Sequence, residues 1–271
     1  MPDYEQLLYD QHGRVVTITL NRPERLNAWT GTIERELIHA LNHANDDPSA
    51  GCIVITGAGR GFCAGADFGG WASRQGGEQP GADDYVPALV TSVEQEASPN
   101  VPITLANAKP VIAAINGPAV GIGLTMAMAC DIRIASDKAR FSARFVRVGL
   151  IPECGGSYNI PQVAGIEAAM ELILTGRIID ATDPLAAKLV SRIVPHDELM
   201  PTAYALAEEI ASGPTKPVWM AKREVRRNAS EQNLHQVVAT ETQLFAQLKD
   251  KPAHREAVAA FMEKREPRWH G

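Results

Sequence analysis

An α/β fold with a purely helical C-terminal piece is expected, and three observations predict it. Short β-branched or continuously apolar runs alternate with stretches of helical periodicity as far as residue 195. Two of these runs lead directly into glycine-rich loops, the punctuation of strand-to-helix turns. Beyond Pro195 no strand-like alternation recurs. The expected division is an α/β core over 1–195 and a helical region over 196–271.

The elements follow in order. Val15 to Leu20 is rich in β-branched residues and stops at Asn21-Arg22-Pro23, a strand followed by a turn. Between Thr32 and Ala44, Ile33, Leu37, Ile38, Leu41 and Ala44 recur on one helical face, and Asp46-Asp47-Pro48 ends the pattern. Cys52 to Thr56 is a short apolar run before glycines, the signature of a strand buried on both faces. Residues 69–82 are Gly-rich and polar and read as a loop, with a helix expected around Asp84–Gln95. Val111 to Ile115 reads as a strand, Gly121 to Ala129 as a helix and Ile132 to Ile134 as a strand. Gly155 to Ile173 is expected to be helical with breaks near Pro161 and Gly165, and Val190 to Val194 is the last strand. Four helices follow, over about 197–211, 217–228, 230–249 and 253–264.

Composition bounds the function. In 271 residues, 45% are hydrophobic and 21% charged, ordinary for a globular chain that can hide roughly three quarters of its extended surface. Lys plus Arg is 26 against 32 Asp plus Glu, a net charge of −6 that disfavours a broad nucleic-acid or anionic-membrane surface. The cysteines Cys52, Cys63, Cys130 and Cys154 form no C-x-x-C pair and read as small hydrophobes in a reducing compartment. The acidic start lacks the apolar stretch of a signal peptide, so a cytoplasmic location is expected. Val111 to Cys130 carries no charge and is long enough to span a bilayer, but Asn116-Gly117-Pro118 breaks it. No membrane association is expected.

Several motifs lead nowhere. His39 and His43 have a metal-binding spacing, but they sit opposite the apolar stripe and have no third ligand, so no metal is expected. Gly59 to Ala64 fits a loose G-x-G-x-x-A, yet the acidic residue of a dinucleotide site falls in the loop around Asp83-Asp84. Lys216, Lys222, Arg223, Arg226 and Arg227 read as one exposed face of an amphipathic helix, with an anionic-ligand or RNA contact as the alternative. The informative pair is the two loops Gly57–Asp67 and Asn116–Gly123. Glycines let the backbone approach a ligand, and two N–H groups aimed at one point would form an oxyanion hole. Two strand-to-helix turns with no ligand fit the spacing equally well.

The segments N-R-P-E-R-L-N-A (Asn21–Ala28), F-C-A-G-A-D (Phe62–Asp67), I-N-G-P-A-V-G-I-G (from Ile115), A-C-D-I-R-I-A (from Ala129), G-L-I-P-E-C-G-G-S-Y (from Gly149) and F-M-E-K-R (from Phe261) resemble the crotonase (enoyl-CoA hydratase/isomerase) superfamily, in order along nearly the whole chain. The resemblance implies a spiral of ββα units and a C-terminal helical trimerisation region, in a homotrimer or a dimer of trimers. It implies an acyl-CoA thioester as ligand and no separate cofactor, since coenzyme A enters with the substrate. The thioester carbonyl would accept from the N–H groups of Ala66 and Ile122. The CoA moiety would lie along Arg25, Leu26, Asn27 and Ala28 and along Ala64, Ala66, Asp67 and Phe68. Phe261 and Lys264 would close the site, from the same or an adjacent subunit.

The sequence departs from the pattern of the hydratases, which use two glutamates. Aligned by motif, those positions hold Thr125 and Phe145. One carboxylate remains nearby, Glu153, at a position resembling the base of the single-carboxylate Δ3,Δ2-enoyl-CoA isomerases. An isomerase with Glu153 as acid and base is therefore expected. The alternatives are a hydratase or hydratase/isomerase recruiting another acid, and a non-catalytic protein binding CoA esters or RNA. Glu153 also precedes a helix, where a carboxylate can serve the helix terminus.

Overall fold

A computed structural model describes residues 2–67, 69 and 100–270. Phe68, the rest of the 69–82 loop and the helix expected around Asp84–Gln95 lie outside the described residues. The strands are β1 (Leu7–His12), β2 (Val15–Leu20), β3 (Cys52–Gly57), β4 (Val111–Ile115), β5 (Pro118–Val120), β6 (Ile132–Ser136), β7 (Arg140–Ser142), β8 (Ile179–Asp180) and β9 (Arg192–Val194). The helices are α1 (Gly31–Asp46), α2 (Val101–Asn107), α3 (Ile122–Ala129), α4 (Gly156–Ala164), α5 (Ile166–Thr175), α6 (Ala186–Leu189), α7 (Leu199–Ser212), α8 (Thr215–Asn228), α9 (Leu234–Leu248) and α10 (Pro252–Glu263).

Six strands form one sheet in the order β1-β2-β3-β4-β6-β9, parallel except for the β1–β2 hairpin. A smaller sheet, β5-β7-β8, stands beside it. Strand alternation divides the large sheet's residues between two faces. Val16, Ile18, Ile53, Ile55, Val111, Ala113 and Ile115 belong to the main core with Ile33, Leu37, Leu41 and Ala44 of α1. Val15, Val54, Ile112, Ala114 and Ile134 meet Leu199, Ala203, Ala207 and Ala211 of α7. Burial on both faces explains why β3 and β4 read as unbroken apolar runs. The repeated alanines of α7 let it lie close on the sheet.

The α/β architecture is as expected, and several local differences have physical causes. Strand β1 escapes a periodicity reading because it is an edge strand whose Leu8, Asp10 and His12 are exposed. Strands β5, β7 and β8 span only two or three residues and are held by partners distant in the chain. Pro161 does not break α4, because only one backbone bond is lost in a helix supported by tertiary contacts; Gly165, at φ 82°, ends it. The uncharged stretch from Val111 is β4, β5 and the wholly buried α3, and no described helix is long and apolar enough to cross a membrane. Cys52, Cys63 and Cys130 are buried and free, and burial pushes their thiols up to about 12.

The contact between α7 and the sheet region is tight enough to test. A Cβ on Gly51 would stand 2.8 Å from Ala211 Cβ, against helix backbone. Gly51→Ala should therefore destabilise the fold by about 1–3 kcal/mol through overpacking. Urea denaturation should recover part of that loss in the double variant with Ala211→Gly.

Candidate active site

Two buried asparagines shape the first glycine loop. Asn116 Nδ2 donates to the carbonyls of Gly57, Gly59 and Gly61 at 2.9, 2.9 and 3.2 Å, and Asn116 Oδ1 accepts from Gly57 N–H at 3.2 Å. Asn27 Nδ2 donates to the carbonyls of Ala58 and Gly61 at 3.0 and 2.7 Å. The close fit excludes side chains. A Cβ on Gly117 would strike the Arg60 carbonyl, and one on Gly123 the Cys63 carbonyl.

The loop then runs beside β5. Cys63 N–H donates to Pro118 O at 2.9 Å, and Val120 N–H donates to Cys63 O at 2.9 Å. This pairing brings Gly65 (φ 105°) next to Gly121 (φ 54°), so close that a Cβ on Gly121 would stand 3.9 Å from Gly65 Cα. The residues that follow them are Ala66 and Ile122. Neither N–H donates to an acceptor among the described residues. Ile122 opens α3, so its amide belongs to the helix N-terminus, where the peptide dipoles present positive charge. Two such amides on adjacent backbones can polarise a carbonyl oxygen.

On the other side, the segment 25–29 lies along 64–67. Ala64 N–H donates to Leu26 O at 3.0 Å, Trp29 N–H to Gly65 O at 2.7 Å, and Asp67 N–H to Trp29 O at 3.0 Å. Arg22 ties the two strips together: it pairs with Asp67 at 3.0 Å and donates to Ala28 O at 2.8 Å. The Arg22 guanidinium holds the Asp67 carboxyl below its ordinary value. Arg25, Leu26, Ala28, Ala64, Ala66 and Asp67 are thus brought together, with Arg25 exposed.

Glu153 stands in the segment before α4. A Cβ on Gly156 would meet Thr125 Cγ2 at 2.5 Å, so this segment packs one helical turn from Ile122. Gly156 N–H donates to Glu153 O at 2.9 Å, while the Glu153 side chain is exposed. The helix N-cap is Gly155, with no side-chain cap bond, so the Glu153 carboxylate does not cap α4. Thr125 is fully buried and its hydroxyl donates to Ile122 O at 3.2 Å; Phe145 is 5% exposed.

Phe261 and Lys264 stand apart. Phe261 is 82% exposed near the end of α10, and Lys264 (φ 54°) follows it, with no hydrogen bond or ion pair to either loop among the described residues. The basic stretch requires a correction. Lys222 and Arg226 do not face solvent but grip Asp131, each at 2.7 Å. His39 and His43 are exposed beside Tyr4 and Tyr9, and no cluster among the described residues could hold a metal. Sequence reading missed the bracing by Asn27 and Asn116, although both lie inside motifs that drew attention, and it missed Arg22 as the partner of Asp67.

Comparison with known proteins shows the family. A model of the enoyl-CoA hydratase/isomerase family matches residues 10–271. A probable enoyl-CoA hydratase of Mycobacterium tuberculosis is 36% identical over 266 residues, covering 98% of each chain. A 1,2-epoxyphenylacetyl-CoA isomerase of Escherichia coli is 36% identical over 260 residues, covering 95% of each. The crystal structure of a probable enoyl-CoA hydratase/isomerase from Mycobacterium abscessus matches with a TM-score of 0.83 at 30% identity, covering 98% of each chain.

The asparagine brace gives a stability prediction. Asn116→Ala takes this donor from the Gly57 and Gly59 carbonyls and the acceptor from the Gly57 N–H, while Gly61 O keeps Asn27, and should destabilise the protein by at least about 2 kcal/mol. Asn107→Ala, removing an exposed amide bonded only to Ile103 O, should stay within about 0.5 kcal/mol of the parent in the same denaturation experiment.

Proposed function

The chain belongs to the enoyl-CoA hydratase/isomerase family, and from that premise we propose that it moves the double bond of a 3-enoyl-CoA to the 2-position. The reading has the thioester carbonyl accept from the Ala66 and Ile122 amides, with CoA along Arg25, Leu26, Ala28, Ala64, Asp67 and Phe68. Glu153 takes a proton from C2, and the electron pair moves onto the thioester oxygen as a dienolate. The same carboxyl returns the proton to C4 as the C2–C3 double bond forms and the C3–C4 double bond is lost. Atoms and charge balance without a cofactor.

One observation carries this reading: the two positions where a hydratase would need its acids hold Thr125, buried within the helix that opens at Ile122, and a buried Phe145. Hydration needs one group to orient water and another to protonate carbon, whereas isomerisation needs a single carboxylate. Glu153 supplies one on the segment packed against Thr125. The hydratase names among the relatives favour a second reading, hydration of a 2-enoyl-CoA through another acid. Analysis of products from CoA esters separates the two.

Glu153→Gln should lower isomerase turnover about 10²–10⁴-fold while acyl-CoA binding persists, because the amide keeps the shape but cannot shuttle a carbon-bound proton. Thr125→Ala should do much less. Steady-state kinetics on a 3-enoyl-CoA, beside binding of a saturated acyl-CoA, checks both; wild-type turnover in Glu153→Gln would remove Glu153 as the base.

The assembly in this reading is a homotrimer or a dimer of trimers. Ile166, Met170 and Leu174 form a stripe along α5 that the chain leaves 64%, 49% and 68% exposed, and Phe245 and Phe261 are equally bare. Such faces mark association surfaces. Light scattering should give the mass of three or six chains at micromolar concentration. A stable monomer would count against the assembly and against any shared-site role for Phe261 and Lys264.

A further inference from the structure

Helix α8 reaches across the molecule to the far end of the helix that opens at Ile122. Arg226 Nη2 donates to the Ala129 carbonyl at 2.6 Å, and Arg226 Nε donates to Asp131 Oδ1 at 2.7 Å. One turn earlier, Lys222 Nζ pairs with Asp131 Oδ2 at 2.7 Å and donates to the carbonyls of Leu105 (2.7 Å) and Lys109 (3.1 Å). Asp131 Oδ2 also accepts from Val111 N–H at 2.8 Å. Trp219 Nε1, from the same helix, donates to Asn107 O at 2.9 Å. Arg133 adds a bond to the Cys130 carbonyl at 2.7 Å. Side chains of α8 therefore satisfy carbonyls at the C-terminal ends of both α2 and α3, where helices leave acceptors unpaired.

Two features make this more than surface decoration. Lys222 is 7% exposed, Asp131 18% and Arg226 27%, so the pairs are partly shielded from solvent, the lysine pair most. Burial pushes the Lys222 ammonium down from its ordinary value, with Asp131 acting against that shift. In addition, Asp131 grips the 111–131 segment at both ends: at Val111, where β4 begins, and just beyond Ala129, where α3 ends. The second glycine loop and Ile122 lie between those two ends. All eight residues of α3 are buried, so the helix has little room to bend, and Ala129 stands roughly 10 Å along it from Ile122.

We propose that Arg226 and Lys222 are positioning residues for the reaction. Through Asp131 and the Ala129 carbonyl they set where the Ile122 N–H meets the thioester oxygen, and they tie the oxyanion helix to the C-terminal helical region. The proposal rests on the reading of Ile122 as an oxyanion donor, and is independent of which residue is the base. Donors of this kind act chiefly on charge that develops in the transition state, so a misplaced one lowers kcat and leaves KM nearly unchanged.

The test uses the full-length protein with Arg226→Met, Arg226→Lys and Lys222→Met. Each variant is followed by kinetics on a 3-enoyl-CoA and by the infrared carbonyl stretch of a bound saturated acyl-CoA labelled at the thioester carbon. Arg226→Met should lose kcat on the order of 10- to 100-fold, with KM within about threefold. Its carbonyl stretch should move back towards the frequency of the free thioester. Arg226→Lys keeps the charge for Asp131 but loses the planar fork that meets Asp131 and Ala129 O with separate nitrogens, and should fall between. Lys222→Met should follow the direction of Arg226→Met.

Wild-type kcat and carbonyl frequency in Arg226→Met overturn the proposal. So does a fall in kcat with the carbonyl frequency unmoved, which assigns Arg226 a structural role only. If Arg226→Met does not fold, Arg226→Lys and Lys222→Met decide by the same criterion. If the parent protein itself leaves the thioester frequency unshifted, the oxyanion reading fails and takes this proposal with it. Normal turnover in Glu153→Gln together with a lost carbonyl shift in Arg226→Met removes the base assignment and leaves the positioning role standing.

Discussion

The buried Asn116 carboxamide donates to three glycine carbonyls of the first loop, one of which, Gly61 O, it shares with Asn27. Buried polar groups are costly without partners, and a tight loop leaves several carbonyls that its own N–H groups do not reach. A single side chain at the end of β4 meets that need by reaching across to the loop that leaves β3. The two loops are therefore one structural unit. Asn27 braces the same loop from the other side, so the strip carrying Leu26 and Ala28 joins the unit through Gly61. The brace shapes the loop ahead of the Cys63 pairing with Pro118 and Val120, which sets Gly65 beside Gly121.

Absence of side chains is the complementary constraint. Cβ atoms on Gly57, Gly117 and Gly123 would each strike backbone carbonyls of the first loop. Gly65 and Gly121 are needed for a different reason, their positive φ. The first group sets how closely the loops lie, and the second turns the chain so that the next amide is left without an internal partner. A site assembled from main-chain N–H groups can thus be fixed without catalytic side chains on either loop. In the proposed reaction the acid–base chemistry falls to a third segment, which carries Glu153 and leans on Thr125.

What is legible in the sequence follows from where each element's constraint lies. Val15–Leu20 and Cys52–Gly57 are readable because burial on both faces imposes a continuous local signal. The glycine loops are readable as a pair, and the motif resemblance assigns their order. Strand β1 is not readable, because its exposed face carries Asp10 and His12 and only its pairing with β2 makes it a strand. Lys222 and Arg226 mislead for a similar reason. On a helical wheel they belong to a basic face, and nothing within their own helix announces Asp131, which lies far away along the chain. Periodicity reports which face is polar; it does not report whether water or a carboxylate meets it.

The uncharged character of the 111–130 segment now has a mechanical sense. Its strand, loop and helix are buried, and the charges that hold it, Asp131, Lys222, Arg226 and Arg133, gather at its far end. Fixed dipoles act more strongly where few mobile charges or waters screen them. A charged side chain on α3 near Ile122 would bring its own hydration into the place where the helix N-terminus is exposed. Concentrating the ionic contacts at the C-terminal carbonyls also matches the sign of the helix dipole, since guanidinium groups favour that end. The same arrangement that keeps α3 stable therefore leaves its opposite end as a clean, positively polarised N–H. A buried threonine at position 125, one turn along the helix, fits that arrangement because its hydroxyl is spent on Ile122 O and adds no charge.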